Sequence, residues 1–258
     1  MPDLAGKHGL IVGVANKRSI SWAIAQAAAA AGARLALTYP SERLEENVRE
    51  LASKLDNPVV TPCDVASDQQ ITDLGVTLDR EFGGLDFFLH GAAFAPAAEL
   101  SSPFVDTSRE GFRIALDVSA YSLIGLTRAV VPLMTKRGGG SILTLTYLGS
   151  QRVFTNYNVM GVAKAALESS VRYLAANLGP ENIRVNALSS GPIKTLAAAG
   201  ISGFSSILQV YRERAPLRRN VDLAEVADAA LFLLSPASRA ITGEIVMADA
   251  GFHISGGA

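Results

Sequence analysis

Tyr147, Tyr157 and Lys164 set two phenols and an ammonium close together, on a stretch that reads as strand, loop and helix. Lys164 follows Tyr157 by seven positions, and at about 100° per residue those steps bring a helix back to nearly the same face. A phenol and an ammonium held in line along a helix are a proton donor and a positive charge placed together.

The elements that must position these groups alternate between strand and helix type along the whole chain. Residues 8–12, 34–38, 58–62, 86–90, 141–146, 183–188 and 244–248 are short apolar or β-branched runs. Between them 20–31, 44–55, 68–82, 107–134, 157–178 and 223–234 carry apolar residues at helical spacing. Gly32 and Gly83 sit where left-handed caps are wanted, and Asp222 is placed to cap the last helix. Parallel strands need crossovers, which are almost always right-handed. The alternation therefore predicts a single α/β domain over residues 1–258, a Rossmann-type doubly wound parallel sheet of about seven strands with helices on both faces. Only 189–206 lacks periodicity, and loops of that length are often functional lids.

Such a sheet binds a nucleotide at its strand tips. After the first strand come Gly13, Val14, Ala15, Asn16, Lys17, Arg18, Ser19 and Ile20, a turn with glycine at its head and a hydroxyl at a helix entrance. The helix N-terminus offers N–H groups and partial positive charge to a pyrophosphate, and Ser19 either caps the helix or reaches a phosphate oxygen. The later glycines of a GxGxxG motif are absent. No carboxylate marks the tip of the second strand, where Tyr39, Pro40, Ser41, Glu42 and Arg43 follow, so NAD versus NADP is left open by chemistry. Ser41 also reads as a cap with Glu42 and Glu45 in the first turn of its helix. Asp64, next to Val65, suits either a bond to an adenine amino group or an N-cap. Gly91 and Ala92 after the fourth strand are small enough for a ribose to pass close to the backbone.

With 49% hydrophobic and 18% charged residues and a mean hydropathy of +0.26, the chain reads as an Ala- and Gly-rich globular protein able to bury a sizeable core. Its 23 basic and 24 acidic residues leave a net charge of -1, which favours neither nucleic acid nor an anionic membrane as a partner and points to a small molecule. The apolar run near the start is too short for a signal core, and no uninterrupted apolar stretch reaches about twenty residues, so a cytoplasmic protein is expected. Cys63 stands alone and reads as a core residue, and His8, His90 and His253 are too scattered to hold a metal.

Taken in order, Gly13 with Ser19 and Ile20, Asp64-Val65, Phe94-Ala95-Pro96, Tyr147 with Tyr157 and Lys164, Asn156-Tyr157-Asn158-Val159-Met160, Arg184-Val185-Asn186-Ala187 and Gly191-Pro192-Ile193-Lys194-Thr195 resemble the short-chain dehydrogenase/reductase superfamily. Within it the chain is similar, over essentially its whole length, to bacterial enoyl-acyl-carrier-protein reductases of type II fatty acid synthesis. Ordinary members of the superfamily carry their acid four residues before the lysine, where this chain has Met160.

The resemblance implies NADH-dependent reduction of the trans-2 double bond of an enoyl thioester carried on acyl carrier protein, with NADPH not excluded. It implies that Tyr157 stabilises the enolate, that Lys164 holds the nicotinamide ribose, and that Tyr147 shapes the pocket or assists proton delivery. It further implies that Ile193 and Thr195 touch the cofactor, and that a substrate-binding loop within 192–206 supplies Ala197, Ala198, Ile201 and Phe204 to an apolar slot with Phe94, Ala95 and Met160. A homotetramer is the assembly it implies. Two departures from the family are that serines 202, 205 and 206 stand where relatives carry basic residues in the loop, and that Gly91 replaces a frequent serine. Arg212, Arg214, Arg218 and Arg219 either take over carrier docking or form a solvated helix face. The rival readings are another reductase of the superfamily and an NAD-sensing protein on the same scaffold.

Overall fold

The computed structural model describes residues 3–195 and 203–255. Strands His8–Val12 (β1), Arg34–Tyr39 (β2), Val59–Pro62 (β3), Phe87–His90 (β4), Gly140–Thr146 (β5), Ile183–Ser190 (β6) and Ile245–Ala248 (β7) form one sheet in the order β3-β2-β1-β4-β5-β6-β7. Every neighbouring pair is parallel, with Leu10 opposite both Ala36 and Phe88. The chain builds outward from β1 to β3 and then returns to lay β4 on the other side of β1. A crevice opens at the C-terminal tips where the direction of building reverses, the place where doubly wound sheets bind ligands.

The helices are Ile20–Ala30 (α1), Glu42–Ala52 (α2), Asp68–Phe82 (α3), Ala97–Ser101 (α4), Arg109–Leu116 (α5), Ser122–Thr135 (α6), Asn158–Leu178 (α7), Phe204–Arg214 (α8) and Leu223–Leu234 (α9). Successive strand residues point to opposite faces, and here both faces are covered. Leu10, Val12, Phe88, Ile142 and Val185 pack with Leu74 of α3, Val130 of α6 and Val171 of α7. Their neighbours Ile11, Phe87, Leu89, Leu143 and Leu188 pack instead with Trp22 of α1, Val48 of α2 and Leu231 of α9. Double coverage is why the strands read as continuous apolar runs rather than as alternation. Asp222 caps α9 as expected: it accepts from the Glu225 N–H at 2.9 Å, and the Glu225 carboxylate accepts from the Asp222 N–H at 3.0 Å.

Three differences from the sequence expectation bear on the site. The single helix expected over 107–134 is two, α5 and α6, joined by a π turn at Asp117–Tyr121. Ser119 of that turn and Ser122, the first residue of α6, are both buried. The run Arg109–Thr135 is long and apolar enough to cross a bilayer by length and composition, yet half of its most apolar window is buried, as in a core helix. Finally, β6 extends through Ser190 and α8 already begins at Phe204, so the ends of the aperiodic segment are regular structure.

Candidate active site

The turn after β1 is tight for a physical reason. Gly13 has φ of +96°, and a Cβ on it would lie 2.4 Å from the Gly91 carbonyl oxygen, so the two crevice loops meet backbone to backbone. A Cβ on Gly91 would in turn lie 2.1 Å from Ser21 Oγ, which donates to the Val12 carbonyl at 3.2 Å. Ser21 on α1 thus fills the space that a serine at position 91 would take. The Ser19 side chain does not cap α1. Its oxygen accepts from the N–H groups of Ala15 and Asn16, each at 3.1 Å, and so folds the loop that precedes half-buried Ile20. The result is a narrow, backbone-lined cradle at a helix start, which fits a dinucleotide pyrophosphate.

Beyond the tip of β3, Asp64 is not the cap of α3, which is Ser67 accepting from the Gln70 N–H. The Asp64 carboxylate closes a turn by accepting from the Ala66 N–H at 3.0 Å, while Val65 is part of the core below α3. Cys63 is buried as expected, and burial, then the charge of Asp64, pushes its thiol up to about 12. Ser41 stands at the start of α2 without a side-chain capping bond. Arg49 is committed to Glu45 at 2.7 Å, whereas Arg43 is exposed.

Tyr147 follows the last residue of β5, Tyr157 precedes the first of α7, and their rings meet edge to face at 5.1 Å. Two glycines allow this approach: a Cβ on Gly149 would lie 2.5 Å from the Tyr157 ring, and one on Gly161 would lie 2.7 Å from the Gly149 carbonyl oxygen. Lys164, 6% exposed, donates from Nζ to the Leu145 carbonyl at 2.7 Å, using one of its three N–H groups. Burial lowers Lys164 to about 8, against the opposing pull of the Glu168 carboxylate. Burial also raises the phenols of Tyr147 and Tyr157 well above their ordinary value, so both remain hydrogen-bond donors at neutral pH.

Several residues at the site were not singled out by the sequence. His90 ends β4, with Nδ1 at 2.8 Å from Thr144 Oγ1 and Nε2 at 2.8 Å from Ser122 Oγ. Because the Ser122 hydroxyl donates to the Val118 carbonyl at 2.6 Å, it accepts from Nε2–H, which leaves Nδ1 to accept from Thr144. Burial, then the Lys164 charge, lowers His90 to about 3, so it is neutral. Ser119 in the π turn accepts from the Phe94 N–H at 2.9 Å and donates to the Phe94 carbonyl at 3.1 Å, with Met160 Sδ at 3.7 Å. It thereby brings the Phe94-Ala95 turn to Met160. Serines scattered along an apolar helix give no sequence signal for such a role.

On the far side, Tyr211 of α8 lies 3.3 Å from the Tyr147 hydroxyl and stacks on Phe252 at 3.7 Å. Tyr211 and Ile207 are the α8 residues that pack around Tyr147, whereas Phe204 is the first residue of that helix and half-buried. Ala92 packs against the core under α6, and Ile193 against the opposite one. The Thr195 N–H turns back to the Ile193 carbonyl at 2.7 Å. Ala197, Ala198 and Ile201 lie outside the described residues. A cavity of about 800 Å³ opens beside this loop, lined by Arg18, Ile193, Lys194, Leu208, Arg212 and Val221.

The sequence model of a family described as enoyl-(acyl carrier protein) reductase matches residues 13–253. The chain is 52% identical over 258 residues to the Bacillus cereus protein named enoyl-[acyl-carrier-protein] reductase [NADH] FabI, covering 99% of this chain and all of the relative. A crystal structure of the Bacillus cereus enoyl-acyl carrier protein reductase with NADP+ and indole naphthyridinone superposes with a TM-score of 0.96 over 99% of this chain and 100% of that one, at 52% identity. The Anaplasma phagocytophilum reductase in complex with NAD gives a TM-score of 0.94 at 47% identity, covering 98% of this chain and 96% of that one.

The neutral, buried His90 makes a prediction about pH. Its folded-state value of about 3 lies below the unfolded 6.5, so its contribution to stability is complete above pH 6.5 and is lost as pH falls towards 3. Between pH 7 and pH 5 this should cost about 2 kcal/mol. Urea unfolding of the wild type and of His90→Gln at both pH values should differ by that amount in slope with pH. Equal pH dependence of the two proteins would refute it.

Proposed function

Because the chain belongs to the enoyl-acyl carrier protein reductase family, we propose that it reduces the trans-2 double bond of enoyl thioesters carried on acyl carrier protein, with NADH as reductant. The observation that carries this reading is the wall made by Tyr147, Tyr157 and Lys164, with apolar Met160 one turn along α7 from Tyr157. Within it, residues 1–258 act as one dinucleotide-binding unit, and 192–206 close over the substrate.

The cradle of Gly13, Ala15, Ser19 and Ile20 holds the pyrophosphate, Asp64 and Val65 face the adenine, and Gly91, Ala92, Ile193 and Thr195 line the nicotinamide side. The bound nicotinamide supplies a hydride to the β-carbon of the enoyl group. Negative charge then gathers on the thioester oxygen, where the Tyr157 hydroxyl donates. A preorganised donor aimed at developing charge in a dry site is worth roughly 3 kcal/mol of barrier. Since Tyr157 resists ionisation, it serves as a donor that keeps its proton until charge appears. Lys164 retains two N–H groups beyond its bond to Leu145, enough for two ribose hydroxyls, and adds a positive field. Tyr147 buttresses the Tyr157 ring and walls the pocket with Phe94, Ala95, Met160 and Phe204, completed by Ala197 and Ile201.

The decisive experiment compares oxidation of NADH and NADPH with a crotonyl thioester, and with simple ketones as controls. Thioester-dependent oxidation of NADH is expected; the Bacillus cereus relative is named for NADH while its crystal structure holds NADP+, and exposed Arg43 leaves NADPH as a second, weaker donor. Oxidation driven by ketones and not by the thioester would overturn the reading. In the same assay Tyr157→Phe should lower kcat by about a hundredfold with NADH affinity nearly unchanged. Lys164→Ala should weaken NADH binding instead, and equal loss of binding in both would mean the roles are wrongly assigned.

The carrier docks beside the cavity where Arg18, Lys194 and Arg212 converge. Arg219 is committed to Glu225 at 2.6 Å and Arg218 to the Glu213 carbonyl, so neither competes for that role. Arg212→Glu should raise KM for a carrier-bound substrate severalfold, about as a rim charge reversal does, and leave KM for the coenzyme A thioester unchanged. A parallel rise for both substrates would remove Arg212 from carrier docking.

The working assembly is a homotetramer in the cytoplasm, built on faces where Phe112, Tyr121 and Tyr173 are exposed on α5, the π turn and α7. Light scattering should return about four times the 27.0 kDa chain mass. A monomer mass at micromolar concentration would exclude it.

A further inference from the structure

Glu168 is a carboxylate buried to 5% exposure on α7, one turn beyond Lys164, and neither oxyanion stabilisation nor ribose binding accounts for it. Its Oε1 accepts from Thr146 Oγ1 at 2.7 Å and from Ser150 Oγ at 2.6 Å. Those two hydroxyls stand on either side of Tyr147, one on the last residue of β5 and one at the end of the short turn Leu148–Ser150. One oxygen on α7 therefore grips the chain both before and after Tyr147. The same helix presents Tyr157 and Lys164, so whatever fixes Glu168 fixes Tyr147 relative to both.

From this geometry we propose that Glu168 is the positioning residue of the reduction site, holding Tyr147 against Tyr157 through Thr146 and Ser150. The proposal rests on the assignment of Tyr147, Tyr157 and Lys164 to that site. Charge-assisted bonds of this length are about twice as strong as neutral ones.

Two consequences separate positioning from a merely structural role. Removing the two hydroxyls should loosen Tyr147. Replacing the carboxylate by an amide keeps an acceptor for both hydroxyls and should disturb Tyr147 less.

The test uses Thr146→Val with Ser150→Ala, and Glu168→Gln, each compared with the wild type. The double hydroxyl variant should lose about tenfold in kcat, with the NADH dissociation constant within about twofold of wild type. Amide exchange over residues 147–151 should rise by about tenfold in it, a readout that needs no turnover. Glu168→Gln, whose amide oxygen still accepts from both hydroxyls, should lose less kcat and gain less exchange over 147–151 than the double variant. Unchanged kcat and exchange in the double variant, or a larger loss in Glu168→Gln than in the double variant, would overturn the proposal. So would a joint fall of kcat, NADH affinity and melting temperature in both variants, which is the mark of a purely structural tie. A wild type that turns over no enoyl thioester would sink the functional reading, and the exchange and binding measurements would still decide on Glu168.

Discussion

The rest of the site depends on how α7 is fastened to the end of β5. An ammonium and a carboxylate are both buried there, and buried charges cost several kcal/mol each unless fully bonded. Lys164 meets the Leu145 carbonyl, and Glu168 meets the hydroxyls of Thr146 and Ser150, so three residues at and just after the end of β5 are pinned to one helix. Gly149 and Gly161 remove the side chains that would hold the two elements apart. The edge-to-face contact of Tyr147 and Tyr157 is the product of that fastening rather than its cause, since a ring pair contributes only about 1 kcal/mol.

The crevice is built on a second close approach, between the backbones of Gly13 and Gly91. It places the turn after β1 on one side of β4, and Phe94, Met160 and the tyrosines on the other. His90 spans the gap from within the sheet, joined to β5 through Thr144 and to the first residue of α6 through Ser122. Three residues earlier, in the π turn, Ser119 takes hold of Phe94 by both its N–H and its carbonyl. The same run of chain thus meets both the sheet and the Phe94 turn. The third core cluster, Leu148, Tyr211, Ala215, Ala250 and Phe252, ties α8 to the same wall. The residues that follow β6 and those that follow β5 thus share one apolar surface around Tyr147.

Much of this was legible in the order of residues. Seven strands and six of the longer helices follow from apolar runs and helical spacing, because burial on both faces leaves a continuous apolar signal and because Gly83 and Asp222 mark helix ends by local chemistry. The tight turn at Gly13 follows from its place after the first strand, although Ser19 folds the loop and Asp64 closes a turn without capping α3.

What the sequence by itself determined is what depends on residues near one another along the chain: the strands, most of the helices, and the helix ends at Gly83 and Asp222. What only the tertiary structure decided is the set of partners far apart in sequence. His90 with Ser122, Ser119 with Phe94, Tyr211 with Tyr147 and Glu168 with Thr146 are joined across elements, and hydroxyls of this kind carry no periodicity that could reveal them. The physical reason is that a buried polar group must find a partner wherever packing delivers one, and packing is fixed by the sheet order, not by spacing along the chain.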